Sequence, residues 1–202
     1  MDLLRGYASA DVFNPWRDHD AATDLVADAP ARRAARLCTH LSGRAQFVLI
    51  GEAAGYQGCK VSGMAFTSER LILEGTIPRV TSASRLTSRP RPWSEPSATT
   101  VWKTLHALGI AEHTVLWNAF AWHPHKPGAR HSNRTPTRAE LQAGLPALQA
   151  FLELNRGARL FAVGRNAERS LAELGVAASP LRHPSMGGAA EFARQLRAAL
   201  QS

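Results

Sequence analysis

Cysteine is scarce in this chain, and so is any long apolar run. Two thiols in 202 residues, Cys38 and Cys59, exclude a disulfide framework and any four-cysteine zinc or iron–sulfur site within one chain. Both are expected to be reduced and intracellular. The opening stretch MDLLRGYASADVFNPWRD has acidic residues early and no apolar core, which argues against a signal peptide or a membrane span. A cytoplasmic protein is therefore expected, associated with the nucleoid in a bacterium. Neither a G-x-G-x-x-G turn nor a phosphate loop closed by Lys-Ser/Thr is present, so no nucleotide cofactor is expected. There is no internal repeat. Acidic residues are few beside basic ones: 16 Asp+Glu face 24 Lys+Arg, a formal net charge of +8. Such an excess favours a polyanionic partner, because each phosphate neutralised releases condensed counterions; plain solubility is the alternative.

What is present reads as one globular domain. Apolar residues make up 45% and charged residues 20% of the chain, ordinary values for a soluble fold of this length. Four apolar runs recur, QFVLIGE from Gln46, TVLWNA from Thr114, RLFAVGR from Arg159 and a weaker SPLRHPS from Ser179. Segments of helical spacing separate them. The alternation predicts an α/β fold, a three-layer α/β/α sandwich around a mostly parallel four-stranded sheet. Helices are expected over Ala21 to Leu41, after a Ser97 cap in ATTVWKTLHALG, and in EFARQLRAAL, which puts Phe192, Leu196 and Leu200 on one face. Another starts at Thr137 and is expected to break at Gly144 and Pro146 before ALQAFLEL.

Chemistry is expected beyond the C-terminal ends of the strands, where doubly wound sheets hold ligands. Three stretches lie there: GEAAGYQGCKVSGMAF after the first run, NAFAWHPHKPG after the second and HPSMGG after the last. The last reads as a turn in which Pro184 ends a strand, Ser185 caps and two glycines relax the backbone; that leaves His183 unexplained. Two basic stretches read as long loops, Gly75 to Pro96 with Arg79, Arg85, Arg89 and Arg91, and His123 to Pro136. Within the second, His123, His125 and His131 offer three imidazoles to a zinc ion, though no nearby carboxylate supports them.

Taken together, the three stretches resemble the uracil-DNA glycosylase superfamily, from Gln46 to Gly188. GEAAGYQGCKVSGMAF is similar to its Gly-rich water-activating loop ending in a base-stacking Phe. NAFAWHPHKPGARHSNRTPT is similar to the Asn-bearing segment and Asn-Arg-x-Pro stretch of the iron–sulfur branches, and HPSMGG to the second motif. The resemblance implies that Phe66 stacks under a flipped base and that Gly51, Ala53 and Tyr56 belong to the base pocket. It implies that Asn118 reads the uracil edge, its amide offering both a donor and an acceptor. By the same resemblance His183 stabilises negative charge developing on uracil O2. Met186 is implied as the wedge that enters the vacated stack, with Ser185, Gly187 and Arg134 on DNA phosphates and the start of the last helix attracting anions.

Departures from the family pattern shape the expectation. Ala53 and Gly55 stand where the best-known branch has Asp and Tyr, so Glu52 is expected to place the water, with Glu69 as the other carboxylate. Gly55 removes the wall that excludes thymine's methyl, opening the pocket to 5-substituted uracils or deaminated purines, and Tyr56 is expected to restore some exclusion. Two cysteines cannot hold a cluster, so the chain resembles a cluster-free branch. No lysine sits in these motifs, which argues against a Schiff-base lyase. The resulting expectation is a monomeric, monofunctional enzyme without cofactor or metal that removes uracil from single- or double-stranded DNA. A non-catalytic module that binds uracil or abasic sites and a zinc-dependent hydrolase are the rivals.

Overall fold

A computed structural model of the chain describes residues 1–80 and 84–201. The elements run α1 (Asp2–Gly6), β1 (Val12–Phe13), α2 (Ala29–Leu41), β2 (Phe47–Ala53), α3 (Cys59–Ser62), α4 (Glu69–Leu73), α5 (Pro96–Ala107), β3 (Thr114–Phe120), β4 (His123–Pro124), α6 (Arg138–Leu154), β5 (Arg159–Val163), α7 (Arg165–Glu173), β6 (Ser179–Leu181) and α8 (Ala189–Gln201). The four apolar runs pair in the order β3-β2-β5-β6, all parallel. A short antiparallel pair, β1 with β4, sits apart from that sheet.

Strand alternation builds two cores, one on each face. Val48, Ile50, Val115, Trp117 and Ala162 face α2, α6 and α7 through Leu37, Leu148, Phe151 and Leu171. Leu49, Leu116, Phe161 and Val163 face α4, α5 and α8 through Leu71, Trp102, Phe192 and Leu196. Burial on both faces is why these strands are apolar throughout. Their residues alternate between the two sides because Cβ atoms of a strand point to opposite faces. The expected three layers are thus present. As an edge strand, β6 tolerates Pro180.

Three helix boundaries differ from expectation. Over residues 21–28 the chain turns instead of coiling, and α2 begins at Ala29. Asp20 and Asp24 explain this: their carboxylates take local backbone N–H groups, from Ala22 and Asp20, which competes with helix. Both are also tethered outward, Asp24 to Arg33 at 2.9 Å and Asp20 to Lys60 at 2.7 Å. At the start of α5, Glu95 holds the cap position and Pro96 the first turn, not Ser97; proline suits that place because its missing N–H would be unpaired there. Finally, α6 passes unbroken through Gly144 and Pro146. A Cβ at Gly144 would lie 3.0 Å from the Ala119 carbonyl oxygen, so this glycine lets helix and sheet approach. The burial of Ala147, Leu148 and Phe151 outweighs the one backbone bond that proline forfeits. Thr137 begins α6 as expected, with a reciprocal capping box to Glu140.

Candidate active site

At the C-terminal ends of β2 and β3, Gly51 pairs in register with Asn118. A Cβ at Gly51 would sit 2.5 Å from the Phe66 ring and 2.8 Å from Asn118 Oδ1. Only glycine leaves both side chains where they are. Phe66 is held with φ at +47°, strain of the kind folds retain where a ring must be aimed. Asn118 is 4% exposed, and its amide has no hydrogen-bond partner among the described residues. A nearly buried amide with both functions unused is poised for a ligand, since leaving it unpaired is costly.

His183 lies on the opposite wall, its ring 6.1 Å from that of Phe66. Its Nδ1 accepts from the Ser185 backbone N–H at 3.1 Å, with the Ser185 hydroxyl at 2.7 Å. A backbone N–H can only donate, so Nδ1 carries the lone pair and the neutral ring bears its proton on Nε2. Burial, with the nearby Arg182 charge, depresses the pKa of the imidazole below the usual 6.5. Its turn closes tightly, because a Cβ on Gly188 would fall 2.1 Å from the His183 carbonyl oxygen. Ser185 therefore orients the histidine and does not cap α8, and β6 ends at Leu181, before Pro184. Met186 stands at the tip, 91% exposed with φ at +51°, followed by Gly187 at +76°.

Phe66, Asn118, His183 and Ser185 share a cleft of about 1190 Å³. Glu52 and Ala53 line it, and Glu52 Oε2 accepts from Asn166 Nδ2 at 3.0 Å. Glu69 is elsewhere. Fully buried, it accepts from the Leu86 and Thr87 backbone N–H groups at 3.0 Å each and from the Thr87 hydroxyl at 2.7 Å, a staple for the loop and not a water-holding group.

Other expected roles are corrected by geometry. Arg134 borders the cleft, but all five of its N–H donors are taken, by Glu140 in a bidentate pair at 2.6 and 2.7 Å and by the His125, Thr135 and Asp11 carbonyls. It braces the loop against α6 and has no donor left for phosphate. The Tyr56 ring is outside the cleft lining and packs edge-on against Trp93 at 5.6 Å; only its backbone N–H reaches the rim, donated to Asn133. In the loop Gly75 to Pro96, of which residues 81–83 lie outside the description, Arg79 and Arg85 turn inward onto carbonyls and Glu69, and Arg89 covers Trp93. The histidines do not assemble either: His123 directs its nitrogens at the Ala54 and Arg130 carbonyls, His125 faces Lys126 O, and His131 lies 3.5 Å from Asp20. No metal-holding group of His, Cys, Asp or Glu occurs among the described residues.

Two site residues escaped the sequence reading. Asn166 follows β5, a strand end that the same positional rule covers. Glu95 is the other. Its carboxyl occupies the space above the first loop, where a Cβ at Gly55 would lie 2.8 Å from Oε1 and one at Gly58 2.0 Å from Oε2. The room expected at Gly55 is therefore filled by a carboxyl. Oε2 is buried without a partner among the described residues, and desolvation lifts the Glu95 pKa to about 7. Nothing in the local sequence announces this, because the contact joins residues 37 or more positions apart. Arg165, Arg169 and Arg182 line the cleft with exposed side chains and supply the positive rim that Arg134 does not.

A glycine-permitted slot lies between an aromatic ring and an unpaired amide and is faced by a neutral histidine, an arrangement with room for a flat ring that can form hydrogen bonds. The family model of the uracil DNA glycosylase superfamily matches residues 39–201, and the chain belongs to that superfamily. Its function is accordingly of the uracil-DNA glycosylase type, a hydrolase class acting on DNA. Among solved structures it is similar to wild-type SMUG2 of Pedobacter heparinus, with a TM-score of 0.64 and 17% identity over 94% of this chain and 86% of that one, a likeness of fold. No curated protein sequence matches it. No helix among the described residues is long and apolar enough to cross a membrane.

Proposed function

We propose that the chain excises uracil from DNA by hydrolysing its N-glycosidic bond, leaving an abasic site. The observation that carries this reading is the Asn118 amide, unpaired and facing the slot above Phe66. An amide in that place accepts from uracil N3–H and donates to O4, while Phe66 stacks under the ring. As the C1′–N1 bond breaks, its electron pair passes to the base, and His183 Nε2–H donates to the oxyanion growing on O2. Glu52, oriented by Asn166, holds the water that adds to C1′ and takes its proton. Met186 is the wedge that fills the vacated stack, and the arginines of the rim hold flanking phosphates. The enzyme acts as a monomer without a cofactor, and the absence of a lysine from the slot favours hydrolysis without a Schiff base.

Alkali cleavage of oligonucleotides carrying one uracil, single- and double-stranded, in excess protein and chelator, tests this directly. Scission by the wild type is expected, falling by about a hundredfold or more in His183→Ala, the loss typical of a removed oxyanion donor, and steeply in Asn118→Ala. Retained binding without scission by the wild type would overturn the reading in favour of a damage-recognition module. Trapping on DNA with borohydride would refute the hydrolytic route.

A further inference from the structure

The turn that carries His183, Ser185 and Met186 leaves the sheet from β6, its edge strand. Leu181, the last residue of β6, gives its carbonyl to the Gly164 N–H at the end of β5, at 2.9 Å. The next amide, of Arg182, is an edge N–H with no strand to receive it. Gln195 of α8 receives it instead: its Oε1 accepts from the Arg182 N–H at 2.6 Å, across 13 positions of chain. Among the described residues no other hydrogen bond ties residues 182–187 to another element, for those of His183, Ser185 and Gly188 close within the turn.

The Gln195 amide is itself oriented. Its Nε2 donates to Glu191 Oε1 at 2.8 Å, one helical turn earlier, and Arg194 donates to both oxygens of that carboxylate, at 2.6 and 2.8 Å. A backbone N–H only donates and a carboxylate only accepts, so both contacts fix the same orientation of the amide. Phe192 and Leu196 are fully buried and root this stretch of α8 in the core, so the acceptor is presented from a rigid element. Gln195 also lines the cleft. Within the turn, Met186 and Gly187 stand at positive φ, and the Ser185 N–H that sets the His183 tautomer belongs to the same segment.

We propose that Gln195 is a positioning residue for the His183 turn: by holding the Arg182 N–H it fixes where His183 Nε2–H points in the cleft. The proposal rests on the excision reading, in which that donor meets the oxyanion on O2. A donor displaced slightly from the place where charge develops loses much of its effect on rate.

Single-turnover excision from a uracil oligonucleotide, in excess protein, is compared for the wild type, Gln195→Met, His183→Ala and the double variant. Gln195→Met keeps the length of the side chain and removes the acceptor. It is expected to lower the maximal rate about tenfold while the protein concentration at half-saturation stays within about twofold. In the His183→Ala background the same substitution should change the rate by less than about twofold, because its effect runs through the imidazole. Glu191→Gln combined with Gln195→Glu exchanges the two groups, returning an oxygen to the Arg182 N–H and keeping the bond along the helix; the rate is expected to recover to within about threefold of the wild type. A rate unchanged in Gln195→Met, an equal loss in both backgrounds, no recovery in the exchanged pair, or a shift in half-saturation, which would place the effect in a phosphate contact of Arg182, overturns the proposal. Amide exchange separates these outcomes from failure of the excision reading. In Gln195→Met the Arg182 and Ser185 amides are expected to exchange at least about tenfold faster, while the buried Leu116 amide of β3, bonded to His40, keeps its wild-type rate. A wild type that shows no excision but gives that exchange pattern refutes uracil excision and upholds the hold on the turn. An unaltered Ser185 rate, or acceleration at Leu116 as well, refutes the hold itself.

Discussion

At His183 a single backbone N–H decides the chemistry, because it commits Nδ1 to accept and leaves Nε2 to donate. The proposed reaction uses the neutral ring, whose pKa burial holds below the usual 6.5. The acid-side fall of the single-turnover rate, as the ring protonates, is therefore expected to lie below pH 6.5. Glu95 sets the other limb. Its pKa is raised by burial to about 7, so above that pH a carboxylate forms in the cleft and opposes both DNA phosphates and the anionic leaving base. Activity is expected to decline as pH rises through about 7, and Glu95→Gln to flatten that decline. The sign for stability agrees. Between the unfolded and folded pKa values the native state binds more protons, so stability falls with rising pH, and Glu95→Gln is expected to raise the Tm at pH 8. Gly51→Ala is a third residue-scale prediction. Its methyl would meet the Phe66 ring and Asn118 Oδ1, so base excision should drop more than tenfold while far-ultraviolet circular dichroism is unchanged.

Elements place these residues, and their junctions are where mutation acts indirectly. Asn166, in the first turn of α7, holds Glu52; Asn166→Ala is expected to lower kcat about tenfold with little change in KM, measured on uracil oligonucleotides. The α3 residue Lys60 pairs with Asp20 at 2.7 Å, both nearly buried. Burial alone would raise the Asp20 pKa, but the Lys60 hydrogen bond and charge prevail and hold it near 2. Lys60→Met leaves a buried carboxylate unpaired and is expected to cost about 3–5 kcal/mol in urea unfolding. Strands and the capped start of α6 were legible in the sequence, since alternation and capping are local. The start of α2 and the continuity of α6 were not. Aspartates drawn to distant Lys60 and Arg33, and a glycine fitted against Ala119, override local helix signals only once the partners are assembled.

For the whole molecule, the net charge of +8 and the arginines of the cleft rim predict DNA binding that weakens steeply with salt, checked by titrating affinity between 50 and 200 mM salt as about one unit of slope per phosphate contacted. Composition alone favours a polyanionic partner over plain solubility without deciding between them. It did not say which arginines serve it, because Arg134, Arg79 and Arg85 look equally available in a linear chain and prove to be spent on Glu140, carbonyls and Glu69.

By itself the sequence determined the alternation of strands and helices, the parallel sheet and the order of the three glycine- and histidine-bearing turns. Each of these rests on periodicity or on near neighbours in the chain. Tertiary structure alone decided which carboxylate lines the cleft on an asparagine, which is stapled into the loop and which is buried above Gly55. It also decided which nitrogen of His183 bears the proton. A side chain's charge state and direction are set by partners that come near it only when the sheet closes.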